Sequence, residues 1–249
     1  MGKIVAIGGG EIGGSGYQVE TTKIDSEIIR LSGKRKPKLL FIPTASSDAE
    51  GYVETVENHF GKSLRCVVDV LYLIKDKPSG QEIEKKILGS DIVYVGGGDT
   101  GKMLRAWKRT GTDKILRKAH ERGIVLSGLS AGAICWFRYG SSDTKRFLDR
   151  KAGLTSVRGL GLINATFCPH YGSEMGRKAH VKEMMKTTPG VAMALDNCCA
   201  IEIVNGMFRI LSSKRGANAY NVYWKRGKFH HELIPKGKGF APLGNLLNP

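Results

Sequence analysis

Apolar residues in the first half of this chain follow two alternating periods. Short continuous runs at 3–7 (KIVAI), 38–42 (KLLFI), 65–71, 91–95 (DIVYV) and 124–127 (IVLS) have the length and branched-aliphatic content of strands buried on both faces. Between them, apolar side chains recur every three or four positions, as at Val53, Val56 and Phe60. This predicts helices over 25–31, 52–60, 81–88, 101–108 and 112–122, with Asp25 as the N-cap of the first. Strand then helix, repeated, implies right-handed βαβ units and a parallel sheet with ligands bound beyond its strands' carboxyl ends.

The second half changes period. Residues 193–195, 200–204, 207–211, 219–224 and 228–234 read as closely spaced strands, with Asn205-Gly206 and Arg226-Gly227 as hairpin turns. These predict an antiparallel extension of the same sheet, followed by an irregular tail from Pro235. No linker, repeat or low-complexity tract interrupts the chain, so residues 1–249 read as one α/β domain with ample length to bury a core.

Composition adds little to that picture, but charge raises a question. A hydrophobic content of 41% with 25% charged residues is that of a folded globular chain. The net charge of +16 suits either a nucleic-acid binder or a basic surface that draws in anions. The basic residues are scattered, from Lys34-Arg35-Lys36 to Lys225-Arg226, with no zinc-finger spacing and no RNP-like segment. No nucleic-acid partner is therefore expected. The five cysteines are odd in number and irregularly spaced, and none forms C-x-x-C, which argues against a secreted disulfide framework and a cysteine metal site. The first apolar run is too short for a signal peptide and no segment is long enough to span a bilayer, so a cytoplasmic protein without a membrane partner is expected.

The chemistry concentrates at Gly128-Leu129-Ser130-Ala131-Gly132. A nucleophile elbow is a sharp strand-turn-helix joint whose strained central residue needs small neighbours, and here a strand precedes and a short apolar helix follows. Ser130 is the candidate nucleophile, with an ordinary βα-turn serine as the alternative. Its base is expected to be His170, because Pro169 ends the preceding apolar strand and leaves the histidine at a strand's carboxyl end. His59, His120, His180, His230 and His231 lie in helical or hairpin segments away from that edge. Asp196, Asn197 and Asp143 are the candidates for an acceptor that orients the imidazole.

Gly96-Gly97-Gly98-Asp99-Thr100, the Ser130 segment, Cys168-Pro169-His170-Tyr171 and Leu195-Asp196-Asn197-Cys198-Cys199-Ala200, in that order, resemble the serine peptidases that include aspartyl dipeptidase (dipeptidase E) and cyanophycinase. The resemblance runs from Ile4 to about Leu211. It implies a flavodoxin-like three-layer fold related to class I glutamine amidotransferases, and a peptidase needing no metal or organic cofactor. By the same resemblance Ser130 is the nucleophile, His170 the base, and the N–H groups of Gly98 and Ala131 the oxyanion hole. The family's third member is usually a glutamate, and Asn197 stands at that place. An asparagine accepts from an imidazole but does not stabilise the imidazolium as a carboxylate does.

Arg177 falls where an arginine of aspartyl dipeptidases is thought to hold the substrate aspartate, and the alternative is a solvated arginine on a helix face. The expected activity is therefore cleavage of a small peptide, with a preference for N-terminal aspartate as its finer form. A catalytically weak binding protein on the same fold is the competing expectation, and a homodimer is compatible with the sequence. Gly8-x-Gly10-x-x-Gly13 imitates a dinucleotide fingerprint, but the next strand ends in Ile42-Pro43-Thr44 with no ribose-binding acid. It is read as a loop lining the hydrolase cleft.

Overall fold

The computed structural model describes residues 2–14, 16–237 and 239–249. Strand β1 (Lys3–Ile7) enters a glycine-rich turn and a small hairpin of β2 (Ile12–Gly14) and β3 (Tyr17–Val19). There follow α1 (Thr22–Leu31), β4 (Lys38–Ile42), α2 (Glu50–Val56), β5 (Val67–Val70), α3 (Gly80–Leu88) and β6 (Ile92–Val95). Then come α4 (Thr100–Thr110), α5 (Thr112–Glu121) and β7 (Val125–Leu129). Local chemistry accounts for several boundaries. Ser79 and Glu82 form a reciprocal capping box at the start of α3, and Gly111, at φ 75°, ends α4 and opens α5.

Two expected boundaries are corrected. Helix α1 starts at Thr22, so Asp25 is not its N-cap. Asp25 lies in the first turn, fully buried, where its Oδ2 accepts from Thr21 Oγ1 and from His59 Nε2, each at 2.7 Å. The helix expected over 52–60 ends at Val56 and continues as a π-helical segment, Glu57–Ser63, that turns both His59 and Phe60 inward.

After β7 come the short α6 (Ala131–Ile134), β8 (Phe137–Ser142), β9 (Thr155–Arg158), β10 (Ile163–Cys168) and α7 (Arg177–Met184). The chain closes with β11 (Ala192–Leu195), β12 (Cys199–Val204), β13 (Met207–Ser212), β14 (Ala219–Lys225), β15 (Lys228–Leu233), β16 (Ala241–Pro242) and α8 (Gly244–Leu247).

The strands form two large sheets. The first runs β16-β13-β12-β1-β7-β6-β4-β5, parallel from β1 to β5 and antiparallel from β1 through β12 and β13 to β16. Ile7 pairs with Leu129 and Val95 with Gly128, so the carboxyl ends of β1, β7 and β6 lie level. The second runs β15-β14-β11-β10-β8-β9. This corrects the expectation that all C-terminal strands extend one sheet: β12, β13 and β16 do, whereas β11, β14 and β15 join β8, β9 and β10. Strand β11 is buried along its whole length and needs cover on both faces. On one face, Met193 and Leu195 join the core that links Ile4 and Leu126 of the first sheet with Phe137 and Phe167 of the second; on the other, Ala192 and Ala194 pack with Val181 and Met185 in a smaller cluster. No helix among the described residues is long and apolar enough to cross a membrane.

Candidate active site

Ser130 occupies the one-residue joint between β7 and α6, at φ 56° and ψ −112°. A serine in this region is strained, and the backbone around it is fixed by hydrogen bonds. Its N–H donates to the Ile7 carbonyl at 3.1 Å, and its carbonyl accepts from the N–H groups of Ala133 and Ile134 at 2.9 Å. The small neighbours are a steric requirement. A Cβ on Gly132 would lie 2.1 Å from the Val95 carbonyl oxygen, and one on Gly128 would lie 2.3 Å from the Gly132 oxygen. The turn therefore closes against β6 only with glycine at both places.

The candidate base arrives from the second sheet. Strand β10 ends at Cys168, Pro169 follows, and His170 takes a left-handed conformation at φ 54° with its N–H donating to the Gly8 carbonyl at 2.9 Å. Asn197 comes from the connection between β11 and β12, where the chain passes from one sheet to the other. Ser130 Oγ–H donates to His170 Nε2 at 2.8 Å, and His170 Nδ1–H donates to Asn197 Oδ1 at 2.7 Å. Burial pushes the His170 pKa below its ordinary value, partly countered by the Asn197 hydrogen bond and reinforced by the nearby Arg177 charge. A neutral ring with a free lone pair on Nε2 suits a general base.

The other expected residues lie elsewhere. Asp196 is adjacent in sequence but does not reach the imidazole, because its Oδ2 accepts from the Asn218 N–H at 3.0 Å. Asp143 lies 4.0 Å from the Arg177 guanidinium and makes no bond to His170. Arg177 is not a solvated helix-face residue, being only 1% exposed. It is also not free to hold a substrate carboxylate: Nε donates to Glu174 at 2.6 Å and Nη1 to the Ser141 carbonyl at 2.7 Å. A substrate aspartate would have to displace Glu174.

The Gly96–Gly98 turn abuts the nucleophile, since a Cβ on Gly97 would sit 3.6 Å from Ser130 Cβ. Gly98 adopts φ 135° and packs so tightly that a Cβ would meet the Ala45 oxygen at 2.3 Å, which gives the glycine its reason. Among the described residues neither the Gly98 nor the Ala131 N–H has a protein acceptor, and Ala131 is the first residue of α6, where N–H groups are left over by the helix. A cleft of about 340 Å³ opens over Ser130 and His170, walled by Gly10, Glu11, Ile12, Tyr52, Gly97 and Leu129. The glycine-rich segment after β1 thus lines the cleft, as its sequence suggests.

Two residues escape sequence reasoning. Gly9 lies against the imidazole pair, where a Cβ would come within 2.1 Å of Asn197 Oδ1 and 2.5 Å of His170 Nδ1. Its signal was present as the middle of Gly8-Gly9-Gly10, beside the fingerprint positions. Tyr52 accepts from the Gly97 N–H at 3.2 Å through its hydroxyl and props the glycine turn, and no motif marks it.

Comparison with known proteins gives the family and the fold. Residues 4–211 match Peptidase family S51. The chain is 36% identical over 225 residues to the uncharacterized peptidase YgaJ of Bacillus subtilis (strain 168), covering 89% of this chain and 92% of that one. A solved peptidase from an acI-B1 Actinobacterium is similar with a TM-score of 0.74 at 17% identity, covering 97% of each chain. A candidate peptidase E protein from Listeria monocytogenes EGD-e is similar with a TM-score of 0.64 at 23% identity, covering 85% of this chain and 98% of that one. These two structures bear out the α/β fold.

Proposed function

The chain belongs to peptidase family S51, and on that premise we propose that Ser130, His170 and Asn197 form its catalytic triad and that it hydrolyses short peptides. The observation that carries this reading is the continuous relay of 2.8 Å from Ser130 Oγ to His170 Nε2 and 2.7 Å from His170 Nδ1 to Asn197 Oδ1. Ser130 Oγ attacks the scissile carbonyl as His170 Nε2 takes its proton. The developing oxyanion is held by the N–H groups of Gly98 and Ala131, aided by the positive end of the short helix. The tetrahedral species collapses, His170 returns the proton to the departing amine, and water then releases the acyl group by the reverse sequence. The small volume of the cleft favours short substrates over a folded chain.

Labelling with a fluorophosphonate, read as intact mass, tests the nucleophile. Wild type is expected to gain one adduct and Ser130→Ala none, and an unlabelled wild type would sink the reading. Asn197 favours one competing reading, a slow or inactive relative, because the imidazolium formed during catalysis lacks a carboxylate partner. Labelling without turnover of any dipeptide in a broad panel would support it. The N-terminal aspartate preference draws no help from Arg177, whose guanidinium is already bonded.

A further inference from the structure

Among the described residues, the cleft over Ser130 presents one unpaired charge, and that charge is negative. Glu11 lines the cleft between Gly10 and Ile12. Its backbone is fixed from both sides: its N–H donates to Glu20 Oε2 at 3.1 Å, and its carbonyl accepts from the Glu20 N–H at 2.7 Å. Its carboxylate has neither a hydrogen bond nor an ion pair among the described residues, whereas the neighbouring Glu20 is paired with Lys214. Among the described residues no lysine or arginine lines the cleft. The buried Arg177, whose charge acts on His170, is already bonded to Glu174. Tyr52, on the same wall, stays a neutral phenol, because burial and the Glu11 charge push its pKa up to about 12. A chain of net charge +16 thus has an acidic residue, Glu11, on the wall of this cleft.

We propose that Glu11 is a specificity-determining residue that pairs with a cationic group of the substrate close to the scissile carbonyl, so that this peptidase favours ammonium or guanidinium there and disfavours aspartate. The proposal rests on the Ser130 reading, since that reading fixes where the scissile carbonyl lies. Two sources supply such a cation. The free α-ammonium of an N-terminal residue is two bonds from its own carbonyl carbon, and a lysine or arginine side chain at the same residue reaches further along the wall. An aspartate there brings a like charge beside Glu11 and finds no free cation in return.

The test measures binding, so it does not depend on turnover. Full-length Ser130→Ala is titrated by calorimetry with Arg-Leu, Ala-Leu, N-acetyl-Arg-Leu and Asp-Leu, and the titrations are repeated with Glu11→Gln and Glu11→Lys added. Arg-Leu is expected to bind tightest and to weaken about tenfold in Glu11→Gln, the loss of one partly shielded ion pair. Glu11→Lys is expected to reverse the order in favour of Asp-Leu. A loss on acetylation assigns the cation to the α-ammonium, and a loss from Arg-Leu to Ala-Leu assigns it to the side chain. Equal binding with and without Glu11, tightest binding of Asp-Leu, or no binding of any peptide overturns the proposal. Wild-type hydrolysis separates the two ideas. An inactive wild type with Glu11-dependent binding sinks only the peptidase mechanism, and an active wild type with Glu11-independent binding sinks only this proposal. Circular dichroism of each variant establishes that it is folded, and the exposed Glu11 side chain leaves room for both substitutions.

Discussion

At the scale of single residues, the question is what an amide does in a place suited to a carboxylate. In the proposed triad Asn197 would fix the tautomer of His170 by accepting from Nδ1, leaving Nε2 to take the Ser130 proton. It offers no negative charge, and burial holds the His170 pKa below its ordinary value. The base works only when neutral, so activity is present above that lowered pKa and is lost as pH falls through it. The acid limb of kcat/KM is therefore expected below the reference histidine value of about 6.5. In Asn197→Asp a carboxylate faces the ring and favours its protonated form, so the limb should move to higher pH. The same charge stabilises the imidazolium, and since amide for carboxylate costs about 10⁴ in a serine triad, kcat should rise by at least about tenfold. A pH profile of both proteins checks this, and a limb that stays in place would show that residue 197 does not orient the base.

At the scale of elements, the site depends on turns more than on strands. Strand-turn-helix periodicity made the Ser130 elbow legible, because its glycines serve contacts with a neighbouring strand already implied by the βαβ pattern. The place of His170 at a strand's carboxyl end was also legible, through the proline that stops β10, but its left-handed backbone was not. The choice among Asp143, Asp196 and Asn197 was not, because residues adjacent in a turn point in different directions: Asp196 meets Asn218 while Asn197 meets His170. Strands β8 and β9 were hidden for another reason. Phe137–Ser142 ends in Gly140, Ser141 and Ser142, which carry little strand signal, and pairing partners far along the chain decide the outcome. Gly9 belongs to this scale as well. In Gly9→Ala the new methyl must displace the His170–Asn197 pair. A misplacement of that order is expected to slow fluorophosphonate labelling of Ser130 by about 10²-fold while the protein still folds. Gly132→Ala, whose Cβ meets the Val95 backbone at 2.1 Å, is expected instead to lower the yield of folded protein. Labelling rate against thermal midpoint separates the two, and a Gly9→Ala protein that labels at the wild-type rate would argue against a rigid base.

At the scale of the whole molecule, the proposed nucleophile and its proposed base come from different sheets. Ser130 is carried by β7 of the first sheet and His170 by β10 of the second, while Asn197 lies on the passage between β11 and β12. The site is intact only while the two sheets stay docked. They share one core, in which Phe137 stacks on Phe167 with ring centroids 4.7 Å apart and Leu126 belongs to the same cluster. Two sheets with separate cores would melt separately, but a shared core makes either sheet's unfolding expose the other's apolar face. We therefore expect one cooperative transition in urea, with far-ultraviolet circular dichroism, tryptophan fluorescence and Ser130 labelling lost together. Phe167→Ala removes a fully buried ring from the second sheet and should cost about 3–5 kcal/mol. Because the core is common, that loss should move all three curves to lower urea by the same amount. Labelling that disappears well before the dichroism, in wild type or in Phe167→Ala, would mean that the second sheet undocks on its own, and that the chain behaves as two folding units with the active site at their seam.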